Sequence, residues 1–228
     1  PCDLVDAETT RQLLATVRPD LVVHAAAMTD VDGCDRDAGA ADLANHVATA
    51  NLASGLPDGS KLVVVSTDQV YPDTPHLHRE EDAAPVNTYG RTKLAGEEAA
   101  LEHAGTLVVR TNFFGHSRTP GRQSLSDFVI ESLRHRRPVT LFTDILFSPL
   151  HAATLAALLF EMVERKLAGV FNATSRGGMS KADFALAIAA HMGLSVESAT
   201  RGTSDVLPER VPRASNLRMD PGRLERAL

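Results

Sequence analysis

Four short apolar runs constrain this chain more than any other feature. They are "LVVHAAA" at 21–27, "KLVVVS" at 61–66, "TLVVR" at 106–110 and "GVFNAT" at 169–174. Each is too short for a buried helix and too uniformly apolar for a strand with one wet face. Such runs suit a parallel sheet covered on both sides. Between them lie segments with helical spacing. In "DAETTRQLLATV" Asp6 is a candidate N-cap, and Leu13, Leu14 and Val17 form one stripe. Further helices are predicted over 38–53, 89–104, 125–136, 151–166 and 180–192, with a short one after Asp220 and Pro221. "VTLF" at 139–142 reads as a short extended piece. Strands alternating with helices predict an α/β fold with a doubly wound parallel sheet and a small C-terminal part.

In such sheets ligands sit beyond the carboxyl ends of the strands. The residues expected there are 25–32, 66–71 and 110–115. Residues 67–88, with Pro72, Pro75 and Pro85, form a loop long enough to suggest a role.

Bulk composition removes several classes. The net charge of −6 argues against a nucleic-acid partner. Apolar runs such as "HAATLAALLF" are too short to cross a bilayer, so no membrane span is expected. Cys2 and Cys34 make neither a disulfide nor a metal pattern, and with no signal peptide read, a cytoplasmic setting is expected. His76 and His78 in "HLHREED" are two apart with no third or fourth ligand evident, so no metal is expected. No G-x-S-x-G, P-loop or H-E-x-x-H occurs.

The segment "VNTYGRTKLAGEEAA" carries the chemistry. Tyr89 and Lys93, four apart, share a helix face. A free phenol has a pKa of about 10, and a neighbouring ammonium favours the phenolate. The pair is thus a candidate general acid or base. Ser66 and Thr67, at a predicted strand end, offer hydroxyls to a reacting oxygen.

Strand, "STDQVY", long loop and "YGRTKLAGE" together resemble an extended short-chain dehydrogenase/reductase. Within that superfamily the chain is most similar to the dTDP-4-dehydrorhamnose reductase group. "PDLVVHAAAMTDVDGCD", Asn45 with "HVATANLA", "VVRTNFFG", "LFTDILFSPLHAATLA", "GVFNATSRGGMSKADFA" and "RVPRASNLRMDPGRLE" extend the resemblance through most of the chain.

The resemblance implies NADPH- or NADH-dependent reduction of a 4-keto sugar nucleotide. Tyr89 would give the proton, Lys93 would lower its pKa and bind the nicotinamide ribose, and Thr67, or else Ser66, would bond the substrate oxygen. Asn45 would support a water relay behind the lysine. Asp3 and Leu4 would lie against adenine, and Ala25, Ala26 and Ala27 along the cofactor, with Ser66 and Asn112 also on that side. Thr29, Asp32, Asp68, Gln69, Phe113 and Arg213 are the implied substrate contacts. Residues 1–111 and 151–174 would form the Rossmann-like part, and 112–150 and 175–228 the substrate-binding part. Helices 38–53 and 89–104 correspond to those that build a homodimer in the family. Two departures stand out. Gln69 replaces a frequent aromatic and Phe113 a frequent tryptophan, which bears on the sugar more than on the reaction.

The family's glycine-rich phosphate fingerprint is absent. The expectation is therefore a Rossmann-like fold lacking its N-terminal strands, with on the order of 50 residues of mononucleotide-binding half upstream, and weak cofactor binding by the chain as it stands. An epimerase or dehydratase of the same fold, recycling its cofactor, and a non-catalytic regulatory subunit are the alternative functions.

Overall fold

A computed structural model describes residues 2–119, 121–206 and 210–228. Helix α1 (Ala7–Val17) begins where Asp6 accepts a hydrogen bond from the Thr9 amide at 2.9 Å, satisfying one of the free N–H groups of a first turn. Its stripe is narrower than predicted. Leu14 is buried, whereas Leu13 and Val17 are 41% and 60% exposed. Strand β1 (Leu21–His24) follows.

The helix predicted over 38–53 forms and runs to Gly55, but a π-helical turn interrupts its α geometry. Helix α2 (Val31–Arg36) occupies a stretch that reads as loop. Helix α3 (Ala38–Asp42) then widens into a π-helical turn over Leu43–Val47 before α4 (Ala48–Gly55) resumes α geometry. Strand β2 (Lys61–Thr67) is next, and the long loop after it holds short 3-10 turns at Asp68–Val70 and Glu80–Asp82. Helix α5 (Thr88–Leu101) leads to β3 (Leu107–Thr111) and the two-residue β4 (Phe113–Phe114). Then come α6 (Leu125–Arg134), β5 (Val139–Phe142), β6 (Leu146–Phe147), β7 (Leu150–His151) and α7 (Ala152–Glu164). Strands β8 (Gly169–Ala173) and β9 (Met179–Ser180), helix α8 (Lys181–Met192), β10 (Ala199–Gly202), β11 (Asn216–Leu217) and α9 (Gly222–Ala227) complete the order.

The four apolar runs assemble as one parallel sheet in the order β1-β2-β3-β8. Alternation along each strand splits its side chains between two cores. Leu62, Val64 and Val108 face Leu14, Leu52 and Ala100 of α1, α4 and α5. Val63, Leu107, Val109 and Phe171 face Leu155 and Met162 of α7 and Leu224 of α9. Helices on both faces make the sheet doubly wound. Each fully buried Val or Leu contributes about 1.5–3 kcal/mol through lost apolar surface, so these two layers hold the strand ends in place.

Helix α5 sits unusually close to its neighbours. A Cβ on Gly96 would collide with the Asn45 carbonyl, and one on Gly90 with the Gln69 carbonyl and, at 2.8 Å, Pro85. Those two glycines bring α5 against both the π-helical turn and the loop after β2. Beyond the main sheet, β10 pairs with β5, β11-β6-β9 form a second small sheet, and β4 pairs with β7. Helices α6 and α8 cover β5 through Val129, Leu133, Leu141 and Ala185.

Candidate active site at the strand ends

Helix α5 starts at the carboxyl ends of β2 and β3 because Asn87 caps it. The Asn87 side chain accepts from the Gly90 amide at 2.8 Å. That places Tyr89 in the first turn and Lys93 one turn further, both buried. Both reach the end of β2. The Lys93 amine donates to the Val65 carbonyl at 3.0 Å, and the Tyr89 phenol lies against Thr67, the last residue of that strand.

The electrostatics differ from the sequence expectation that Lys93 lowers the phenol. Burial pushes Tyr89 up to about 12; the Thr67 hydroxyl opposes this, and the nearby Asp68 charge reinforces it. The Lys93 amine is turned onto a backbone carbonyl. Burial lowers its own pKa, and Glu97, four residues on, opposes that shift. In this structure Tyr89 is therefore a neutral phenol.

Ser66 and Thr67 point in opposite directions, as successive residues on a strand must. Thr67 Oγ1 accepts from the Gln69 amide at 3.2 Å. Ser66 Oγ donates to the Glu97 carboxylate, which removes it from the reacting oxygen and from the cofactor side where it was expected. Glu97 also takes a buried ion pair from Arg110 at 2.7 Å. Arg110 in turn donates to the Glu80 carbonyl at 2.7 Å and to the Tyr71 hydroxyl at 3.0 Å. This satisfied network locks α5, β2 and β3 behind the tyrosine.

Beside Thr67 lies a second polar group. Asp68 is buried, and desolvation raises its pKa against hydrogen bonds from Asn112 and Gln69. Asn112 Nδ2 reaches Asp68 at 2.5 Å; Asn112, expected on the cofactor side, is thus tied to the predicted substrate side. Gln69 Oε1 accepts from Asn87 at 3.3 Å. Two other expected substrate residues, Asp32 and Arg213, meet in an ion pair at 2.8 Å. Thr29 bonds Arg122, while Phe113 is 55% exposed.

On the opposite side Ala25 and Ala26 are exposed and Ala27 half-buried, directly beyond β1. Asn45 holds this loop from the π-helical turn. Its Oδ1 accepts from the Met28 amide at 2.8 Å, and its Nδ2 donates to the Met28 carbonyl and to Thr92, each at 3.1 Å. These bonds use its amide to join loop to helix; the expected water relay is not needed to satisfy it. Asp3 is exposed, and Leu4 packs on the α1–α4 core, where its carbonyl accepts from Asn51 at 2.9 Å. His24 is buried, 3.1 Å from Thr49, as a packed histidine would be.

Sequence reasoning missed Lys181, Arg122 and the linking role of Asn87. Lys181 opens α8, and burial lowers its pKa while the Asp68 charge opposes that. Arg122 acts on the Tyr89 phenol from a loop. No local pattern marks either one, although the Asn87 cap was readable from its place before a helix. A cavity of about 1000 Å³ opens beside this group, lined by Arg122, Ser126, Met179, Phe184 and Ile188 among others, but not by Tyr89.

A doubly wound parallel sheet, with a tyrosine and a lysine on one helix face at its strand ends, defines an α/β protein of the Rossmann-like type. The chain belongs to the RmlD substrate binding domain family, which matches residues 1–228. It is 32% identical over 188 residues to a probable low-salt glycan biosynthesis reductase of Haloferax volcanii, covering 80% of this chain and 63% of that one. It is 31% identical over 224 residues to a dTDP-4-dehydrorhamnose reductase of Mycolicibacterium smegmatis, covering 94% of this chain and 66% of that one. The chain thus spans slightly less than two thirds of these relatives. Its fold matches the Bacillus anthracis dTDP-4-dehydrorhamnose reductase crystallised with NADP, at a TM-score of 0.89 and 24% identity, over 98% of this chain and 80% of that one.

Proposed function

We propose that this chain carries the catalytic tyrosine and the substrate side of an NAD(P)H-dependent reductase acting on a 4-keto sugar nucleotide. The observation that carries the reading is the convergence of Tyr89, Lys93 and Thr67 on the end of β2. Residues 1–111 and 151–174 form the Rossmann-like part in this reading, and 112–150 and 175–228 the substrate-binding part.

The residues fit the nicotinamide end of the cofactor. Small, exposed Ala25 and Ala26 leave the strand end open to a flat ring, and the buried Lys93 amine lies beside it. Within these 228 residues no glycine-rich run cradles a pyrophosphate. When bound, NAD(P)H supplies the hydride.

Tyr89, held protonated by its burial, gives its proton to the C4 oxygen of the sugar. The Thr67 hydroxyl orients that oxygen and stabilises the phenolate left behind. Lys93 adds positive charge from the same helix face. The Glu97–Arg110 pair keeps helix and strand in register, so the three groups stay in place. Asp68, Gln69 and Asn112 offer polar contacts to the sugar, and the Asp32–Arg213 pair closes the C-terminal segment over it.

Among the described residues no helix is long and apolar enough to cross a membrane. A cytoplasmic homodimer fits this reading: Leu43 and Leu101, on the segments expected to build it, are 46% and 40% exposed. Equilibrium sedimentation tests that assembly.

The reaction itself is tested by supplying a dTDP-4-keto-6-deoxy sugar with NADPH to a protein carrying this chain. Stoichiometric NADPH oxidation supports a reductase. An isomerised or dehydrated sugar with no net oxidation assigns the epimerase or dehydratase instead, and no turnover at all points to a binding subunit.

A further inference from the structure

The loop between β2 and α5 brings together donor atoms that the strand-end site does not use. His76, His78 and Asp82 each offer one ligand atom, and these lie within 4.8 Å of one another. Read along the chain, the two histidines lacked a third partner. The 3-10 turn at Glu80–Asp82 folds Asp82 back to supply it.

His78 is already oriented as a ligand would be. Its ring is fully buried, stacked on Tyr71 at 4.9 Å between centroids. Its Nε2 donates to the Asn216 carbonyl at 2.9 Å, which leaves the Nδ1 lone pair facing the loop, 3.5 Å from Thr74 Oγ1. Histidines that bind metals characteristically donate their other ring N–H to a carbonyl or carboxylate in this way. His76 Nε2 lies 3.4 Å from the same threonine hydroxyl and 4.0 Å from Asp82 Oδ2. Asp82 is itself steadied by the Arg79 amide at 2.7 Å.

We propose that His76, His78 and Asp82 form a binding site for a borderline divalent transition metal ion, Zn²⁺ or one of similar preference, with a fourth position left to water. Two imidazoles and one carboxylate suit Zn²⁺, Co²⁺ or Ni²⁺, whereas Mg²⁺ and Ca²⁺ take oxygen donors. Bonds of about 2.0–2.2 Å in a tetrahedron set the donors roughly 3.3 Å apart. Closing from separations of up to 4.8 Å needs shifts of up to about 1.5 Å, made by rotation of the exposed His76 and half-buried Asp82 side chains.

The ion would act as a rivet. All three ligands lie in one loop, and His78 fastens that loop to the C-terminal segment through its bridge to Met219. The same loop delivers the Glu80 carboxylate to the Asn172 amide of β8 at 2.9 Å. Metal binding therefore stiffens the connection between the sheet and the chain's last segment.

The test is titration of the metal-free chain with ZnCl₂ by calorimetry and with CoCl₂ by visible absorption. The expected result is one equivalent bound, intense d–d bands of low-coordinate cobalt, no displacement by excess MgCl₂, and a melting temperature that rises with Zn²⁺. His76→Ala and Asp82→Asn should each weaken binding roughly tenfold or more; the His76 side chain is exposed, and circular dichroism and the metal-free melting temperature of both variants separate lost ligation from lost fold. His135→Ala, at the separate His135–Glu131 pair, should bind as the unaltered chain does. Absence of stoichiometric binding overturns the proposal. So does equal affinity in His76→Ala and Asp82→Asn, or ready displacement by Mg²⁺.

Discussion

Asp32 and Arg213 stand 181 positions apart in the chain and 2.8 Å apart in space. The pair joins the loop after β1 to the C-terminal segment, and the Val211 amide reaches the same carboxylate at 3.3 Å. Its side chains remain 35% and 28% exposed, so it contributes only about 0–1 kcal/mol to stability. Its consequence is placement. Arg213→Ala should leave the melting temperature nearly unchanged and raise KM for the sugar nucleotide roughly tenfold, equivalent to about 1.4 kcal/mol, with kcat little altered. Steady-state kinetics beside a thermal melt check this; a large fall in kcat at constant KM would assign Arg213 to the chemistry.

Removal of the proton donor gives the sharpest contrast between functions. Tyr89→Phe should retain the fold and lower turnover roughly 10²–10⁴-fold, the contribution of a positioned acid. A binding subunit would show no change in partner affinity on the same substitution. Turnover and circular dichroism on the variant decide.

The chain has two tyrosines, and burial raises both Tyr71 and Tyr89 to about 12. Phenolate absorbance should thus stay low at pH 10 in the folded protein and appear there only after denaturation. The sign for stability follows. Folded pKa values above the unfolded value of about 10 make the contribution full below pH 10 and lost as pH rises through about 12. Reduction should keep its proton donor loaded through mildly alkaline pH. An ultraviolet titration with a folded-state midpoint at or below 10 would contradict this.

Glu97 and Arg110 are almost wholly buried against each other. Glu97→Gln or Arg110→Met alone should cost about 3–5 kcal/mol, because each leaves a buried charge without its partner. The double substitution should cost clearly less than the sum of the two. Urea unfolding of the full cycle measures the coupling, and simple additivity would show that the pair does not act as a unit.

Gly96→Ala should be destabilising by about 1–3 kcal/mol through overpacking, since the added methyl meets the Asn45 carbonyl. It should also loosen the Met28 loop, read as faster amide exchange at Met28. Unchanged exchange together with unchanged stability would show that α5 has room to move.

The parallel sheet was legible because strands covered on both faces carry continuous apolar runs, and Leu62 to Val65 leave little other reading. The cap at Asp6 is local chemistry and sits where the sequence puts a helix start, whereas the Asn87 cap, equally local, was not read. The Tyr89–Lys93 spacing was equally local. What it could not convey was depth: burial, a property of the whole fold, turns the expected lowering of the phenol into a rise. Ser66 was assigned to the cleft because adjacent hydroxyls look alike in sequence, yet strand alternation sends one inward to Glu97. Lys181 and Asp68, and likewise His78 and Met219, become neighbours only through tertiary packing. Leu13 and Val17 show the opposite failure, apolar spacing without a partner surface in the described residues.

The wide turn at Leu43–Val47 works as a vernier between two helical scales. Each residue of an α-helix advances about 100° around the axis, and a one-residue surplus is what a π-turn absorbs. Deleting a single position there would let the helix run on regularly and swing the Asn45 amide away from Met28 and Thr92. The loop after β1 would then lose its tether to the tyrosine-bearing helix, although every residue that performs chemistry would still be present.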